Sequence, residues 1–497
     1  MLVVRLAERR GRPAAVVVPV RASDVAEAEA EDTTPGTPAV DPDVLPDYLA
    51  AVTEEFLAET EHTGTAGTTQ QLPLAGRPIG RAIFVGVGDA SPGGWRTAGA
   101  AAVRAAMSKP TAAVLLPAEI EPGAVAALTE GLLLAAYRYR LANKPDDSRK
   151  LRTVTLVVPD SQRYADAVDR ATIVAEVTCL ARDLTNQPSD EKSPAHLARA
   201  MVRAAEKAGA TATVREPEQL AREGFGGILA VGSGSSRGPR LVELRWAPRG
   251  ATRHVVLVGK GITFDTGGIS IKPRESMLLM RKDMGGAATI AAAVIGAARL
   301  KLPVKVTGLA PLAENMVGAD SYRPGDVVRH YGGLTTEVLN TDAEGRMVLA
   351  DGLAYAARRL KPDVLLDFAT LTGAARVALG KRTAALFSDN DVLAKSLVDA
   401  ADDVGERMWR LPLPADYQEK LDSDIADLSN VPPGMEGAGG AITAAMFLRE
   451  FAGDIADRWA HVDMSATSWT DSADKELAKY ATGWGVRTLL RWLETSS

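Results

Sequence analysis

Asp342, Glu344 and Arg346 stand at alternate positions in VLNTDAEGRMVLAD, residues Val338 to Asp351. In an extended chain alternate side chains share a face, so two carboxylates and a guanidinium would converge on one spot. Carboxylates that close repel one another unless positive charge lies between them. Either Arg346 alone supplies that charge, or a metal ion does. A second stretch, LVGKGITFDTGGISIKPRESMLLMRKDMGGAAT, adds Lys260, Asp265, Lys272 and Asp283. Lys260 and Asp265 follow an apolar run suited to a buried strand, where the active-site loops of parallel sheets collect. Gly259, Gly261, Gly267 and Gly268 would let the backbone bend tightly around whatever those side chains hold.

Taken singly, each residue has an ordinary explanation. An Asp before a helix is usually an N-cap, which would account for Asp283. Lys260 and Lys272 could be surface charges, and Asp342, Glu344 and Arg346 an exposed salt-bridge cluster. Together, four carboxylates and two lysines in two glycine-punctuated loops suit two divalent cations that share bridging carboxylates. A neutral lysine amine would be the nitrogen ligand, because an adjacent dication depresses the lysine pKa in the needed direction. The five histidines, His62, His196, His254, His330 and His461, show no metal-binding spacing, which rules out a zincin helix.

The elements that must position these residues read as α/β. RAIFVGVGD, TAAVLLP and LRTVTLVVP pattern as strands, alternating with helical WRTAGAAAVRAAM and PGAVAALTEGLLLAAYRYRLA. That alternation predicts largely parallel sheets covered by helices on both faces. A long helix over about Ser161 to Leu184 ends before TNQPSDEKSPAH, a break suited to a domain linker. RHVVLVG and PDVLLDFAT are continuous apolar runs of the kind that central strands need. The expected organisation is an N-terminal α/β domain over 1–160, a linker helix over 161–185 and a catalytic domain with a mixed central sheet over 186–497. AVGSGSSRGPR fits neither nucleotide-loop spacing and reads as a plain turn.

Bulk properties narrow the class further. The 497 residues are 24% charged and 46% hydrophobic, a globular profile. A net charge of -6 gives no general pull toward nucleic acid or anionic membrane. No apolar run is long enough to span a bilayer, and Arg5, Glu8, Arg9 and Arg10 interrupt the N-terminal stretch as a signal peptide would not. A cytoplasmic location is the default. The single cysteine, Cys179, permits no internal disulfide and reads as a small buried hydrophobe. EAEAEDTTPGTPAVDPD, in a region from Ala22 to Gly76 without Lys or Arg, reads as an acidic loop.

NTDAEGR (Asn340 to Arg346), VGKGITFDTGGISIKP (Val258 to Pro273) and DMGGAA (Asp283 to Ala288) closely resemble the leucyl aminopeptidases, or cytosol aminopeptidases. ARDLTNQPS, GILAVGSGS, ENMVGADSYRPGDV, ATLTGAA and AITAAMFLREF extend the resemblance over about residues 165 to 497. It implies a two-metal exopeptidase that removes N-terminal residues, often leucine, and a hexameric assembly of two-domain subunits. By matching positions, Asp265 and Glu344 would bridge two Zn²⁺ or Mn²⁺ ions, Lys260 and Asp283 would complete one site, and Asp342 the other. Lys272 and Arg346 would be the catalytic non-ligands, Arg346 holding a bicarbonate. Met280 matches a position lining the side-chain pocket. The chain departs from the family pattern at Met347, at Trp484-Gly485 where relatives often carry Arg-Pro, and in TSWTDSADKELAKY. The competing reading is a nucleic-acid-binding or regulatory scaffold on the same fold; the acidic charge and intact ligand set argue against it.

Overall fold

The computed structural model describes residues 2–22, 34–41, 44–144, 148–434 and 439–495. Two compact units divide it: Met1–Glu176 with Asp471–Lys479, and Val177–Thr470 with Tyr480–Ser497. The divide falls inside the long helix Ser161–Asn186. Asp471–Lys479, part of the unusual TSWTDSADKELAKY stretch, belongs to the first unit, which no sequence pattern signalled.

In the first unit the strands Val3–Ala7, Thr153–Val157, Thr111–Leu115, Ala15–Arg21 and Arg81–Gly88 lie parallel in that spatial order. Thr69–Pro73 closes one edge antiparallel. Part of the acidic stretch, residues 27–33 and 42–43, lies outside the described residues. Within the described part Thr37–Pro38 is not loop but a short strand pairing with Val20 and Arg21. The helical pattern expected through Ala142 stops at Ala136, where Tyr137 turns to ψ 142° and Arg149 donates to the freed Ala136 carbonyl at 2.5 Å.

The second unit is built on a mixed sheet. Lys305–Asn315, His254–Gly259, Val364–Ala369 and Trp459–Asp463 are mutually parallel neighbours. Arg240–Trp246 and Thr211–Arg215 extend one side antiparallel. Thr383–Phe387 runs antiparallel on the other side, with Arg407–Arg410 parallel to it at the edge. One face of the sheet meets the helix Gly285–Arg299: a side chain on Gly308 would strike Ile290 and Val294. That helix is alanine-rich and buried throughout its first 14 residues, because the sheet and the helix Val486–Thr495 both press on it. The opposite face meets the helix Glu344–Tyr355, where Gly352 comes against Val258. Met347, Val348 and Leu353 of this helix join Phe447 and Phe451 of the helix Gly440–Ala452 and Trp459 in one apolar cluster.

All twelve residues of Glu344–Tyr355 are buried, its charged members included. Asp351 accepts from the Ile228 and Tyr331 amides and faces His330 Nδ1 at 3.2 Å. Such pairing is what permits a charge in a core. Ala230–Gly232 end a short helix and the following residues are turns, so the AVGSGSSRGPR segment is no phosphate loop. Cys179 is half-buried rather than fully enclosed. Gly485 stands at φ 89° and its N–H donates to Glu406 Oε2 at 3.1 Å, two things a proline cannot do. Among the described residues no helix is long and apolar enough to cross a membrane.

Candidate metal centre

The parallel strands of the second unit end side by side, and their carboxyl ends carry the charged residues. Lys260 follows His254–Gly259, Asp265 ends Gly261–Asp265, Asn315 ends Lys305–Asn315, and Thr370 follows Val364–Ala369. Asp265 Oδ1 accepts from the Gly267 amide and from Asn315 Nδ2, both at 2.8 Å, which leaves Oδ2 to face the centre. Gly267 and Gly268 have φ 87° and 65°; a side chain on Gly267 would collide with Ser270 O. Gly259 and Gly261 have no such φ and serve close packing instead, the first against Gly286 and the second against Pro311.

The NTDAEGR segment is not extended, so the alternation expected for it is corrected. Asp342 N donates to Asn340 Oδ1 at 2.8 Å and Ala343 N to Asn340 O at 3.2 Å, a side-chain-stabilised turn. Glu344 then begins a helix, where its negative charge meets the positive end of the dipole. The turn places Asp342 beside Glu344, and the helix carries Arg346 to another wall of the same cavity. Asp283 is not an N-cap either. The cap position is Met284, with no side-chain bond, while Asp283 Oδ1 accepts from Thr370 Oγ1 at 2.7 Å.

Lys260 Nζ lies 2.9 Å from Asp283 Oδ2 and 2.8 Å from Glu344 Oε1, and donates to Thr370 O at 3.1 Å. Lys272 Nζ lies 2.8 Å from Asp265 Oδ2 and contacts Asp342 Oδ1. One oxygen each of Asp265, Asp342 and Glu344 falls within 4.8 Å of the others. Burial favours protonated Asp265, and Glu344 raises it further, so that carboxyl sits well above its usual range. Burial pushes Asp283 up to about 6 against the pull of Lys260. For Glu344 burial is outweighed by Lys260 and Lys272, and its pKa is lowered. Both lysines are raised because the carboxylates overcome their burial. Four carboxylates thus share two ammonium groups in a largely buried site.

That donor set fits divalent cations. Asp283 Oδ2 and Glu344 Oε1 are buried against the Lys260 ammonium, and Asp342 Oδ1 packs against that of Lys272. With Asp265 they offer oxygen and amine chemistry that suits Mn²⁺, Mg²⁺ or Zn²⁺. As a ligand Lys260 would have to release the proton that its neighbours now stabilise. A cavity of about 340 Å³ opens beside the cluster, lined by Lys260, Lys272, Asp342, Glu344, Arg346 and Thr372 among others. Arg346 is buried, donates through Nη1 to Asn430 O at 2.5 Å, and among the described residues has no acceptor at Nε. Burial drives its pKa down to about 10. An unpaired guanidinium edge is a seat for a planar anion.

All seven residues singled out from the sequence therefore come together. Others were missed. Asn430 accepts from the Leu339 and Asn340 amides and donates to Asn340 O at 2.7 Å, fixing the approach to the turn. Asp463 accepts from the Leu371 and Thr372 amides and from Thr372 Oγ1, shaping the cavity wall. Neither lies in a stretch whose spacing suggests chemistry. Gly345 is also constrained, since a Cβ there would lie 2.5 Å from Lys260 Cε and 2.7 Å from Nζ. Gly345→Ala should displace the Lys260 amine and lower activity by about tenfold or more with unchanged circular dichroism. Unaltered kinetics would show that Lys260 is not tightly held.

Acids and amines gathered at the carboxyl ends of a mixed sheet define an α/β protein with a candidate metal centre. Residues 179–490 match the catalytic domain of the cytosol aminopeptidase family and residues 17–144 its N-terminal domain, so the chain belongs to that family. It is 43% identical to a probable cytosol aminopeptidase of Micrococcus luteus over 485 residues, 93% of this chain and 94% of that one. The corresponding protein of Corynebacterium glutamicum is 41% identical over 447 residues, 89% and 88% of the two chains. Among solved structures, the bottromycin maturation enzyme BotP in complex with Mn is 36% identical with TM-score 0.84, covering 97% of this chain and 99% of that one. A mutant of tomato leucine aminopeptidase is 29% identical with TM-score 0.86, covering 100% and 97%.

Proposed function

We propose that this aminopeptidase is a two-metal exopeptidase that removes N-terminal leucine or similar residues from peptides. The observation that carries the reading is the cluster of four carboxylates, Asp265, Asp283, Asp342 and Glu344, drawn around the Lys260 and Lys272 ammonium groups. Asp265 and Glu344 would bridge two Mn²⁺ or Zn²⁺ ions, with Lys260 and Asp283 completing one site and Asp342 the other. The ions would supply a Lewis acid for the scissile carbonyl and acidify a water.

The chain's own residues then do the following. The acidic cluster beside the cavity would attract a free N-terminal amine, which a blocked peptide lacks. Lys272, beside Asp265 and lining the cavity, would donate to the oxyanion as it develops. Arg346, whose Nε has no acceptor among the described residues, would hold a planar anion such as bicarbonate, which would supply a proton acceptor. Asp463 holds the Leu371–Thr372 wall so that the peptide backbone meets a fixed surface. Relatives carry the name cytosol aminopeptidase, and on that ground we place the chain in the cytoplasm. A homohexamer rests on the family resemblance alone.

The test compares Leu-Gly with N-acetyl-Leu-Gly. Hydrolysis of the first and not of the second is expected. Equal turnover of the two would refute the exopeptidase reading.

A further inference from the structure

Lys192 has no exposed surface, and among the described residues no carboxylate pairs with it. A lysine so placed is costly unless its N–H groups are used. They are used fully: Nζ donates to Leu184 O at 3.1 Å, Thr185 O at 2.9 Å and Arg281 O at 2.7 Å. Three acceptors match the three donors of an ammonium. Leu184 and Thr185 belong to the last turn of the helix Ser161–Asn186, at the negative end of its dipole. Arg281 lies in the tight turn Met280–Lys282, directly before Asp283.

The same turn is fastened on other sides. The Arg281 guanidinium lies over the Trp469 ring at 5.2 Å and the Tyr480 ring at 5.6 Å. Lys282 Nζ donates to Ser465 O at 2.7 Å. Of these ties only Lys192 grips the backbone of the turn itself. An apolar residue of similar size would fill the space without fixing the carbonyl.

We infer that Lys192 is a positioning residue for the Asp283 side of the centre. By joining Arg281 O to the end of the long helix, it sets where Asp283 meets Lys260. This rests on the two-metal reading above. A plain helix cap would matter for stability alone, whereas a positioning residue also changes how tightly one cation is held. Residues that orient metal ligands typically change affinity by about 10- to 100-fold.

The experiment measures Mn²⁺ per subunit after dialysis, with melting temperature in parallel, for wild type, Lys192→Met, Asp283→Asn and the double variant. Lys192→Met is expected to lose one ion at Mn²⁺ concentrations where wild type keeps both, and to add nothing in the Asp283→Asn background. A lower melting temperature with wild-type Mn²⁺ retention overturns the inference. Should Lys192→Met not fold, Lys192→Gln keeps two donors and is expected to lose the same ion more weakly; full retention there overturns it equally. Wild type that binds no Mn²⁺ would instead overturn the two-metal reading itself.

Discussion

Glu344→Gln is expected to reduce turnover of leucine p-nitroanilide by about 10³-fold or more while leaving the fold intact. The side chain is 1% exposed, its Oε1 lies 2.8 Å from Lys260 Nζ, and it neighbours both Asp265 and Asp342. On the proposed reading it would therefore serve both ions of the centre. Glutamine keeps the shape and removes the charge, so packing loss cannot explain the outcome. Charge stabilisation in the transition state is worth several kcal/mol, and about 1.4 kcal/mol is a factor of ten. A variant retaining activity within about tenfold of wild type would mean that Glu344 is only the partner of Lys260.

Lys272→Ala should lower kcat by about 10²- to 10³-fold, the usual effect of losing one oxyanion donor. Metal content should persist. Lys272 now offsets the charge of Asp265 and Asp342, so removing its ammonium leaves those carboxylates more negative and no less able to hold a cation. KM should change far less than kcat, because the contact forms with the oxyanion rather than with the resting carbonyl. If the variant loses metal instead, Lys272 is a ligand and the roles of the two lysines are reversed.

Much of the site was legible because its chemistry is concentrated in two short stretches. Asp342, Glu344 and Arg346 lie within five residues, and Lys260 to Asp283 within one strand-loop-helix unit. The strand runs His254–Gly259 and Val364–Ala369 were equally plain, since buried parallel strands are apolar throughout. What failed was local geometry. Alternation in NTDAEGR suggested an extended chain, but the Asn340 side chain closes a turn and a helix begins at Glu344. Nothing in the period of so short a segment distinguishes the two.

Residues acting over long sequence distances were invisible. Asn430 reaches Arg346 across 84 positions and Asp463 reaches Thr372 across 91. Lys192 gave no sign of burial, because a lone lysine between polar residues reads as surface. The departure at Trp484-Gly485 acquires a reason only from the backbone, through the positive φ of Gly485 and its bond to Glu406.

The most direct measurement counts metal ions per folded subunit after dialysis, by elemental analysis, in wild type, Asp342→Ala and Asp265→Ala. On the proposed two-metal reading Asp265 and Glu344 would serve both ions and Asp342 one. Losing a shared carboxylate leaves two dications with too little negative charge between them, whereas losing Asp342 leaves Lys260, Asp265, Asp283 and Glu344 around the other. The prediction is about two ions for wild type, about one for Asp342→Ala and close to none for Asp265→Ala. Two ions in Asp342→Ala together with one in Asp265→Ala would contradict it.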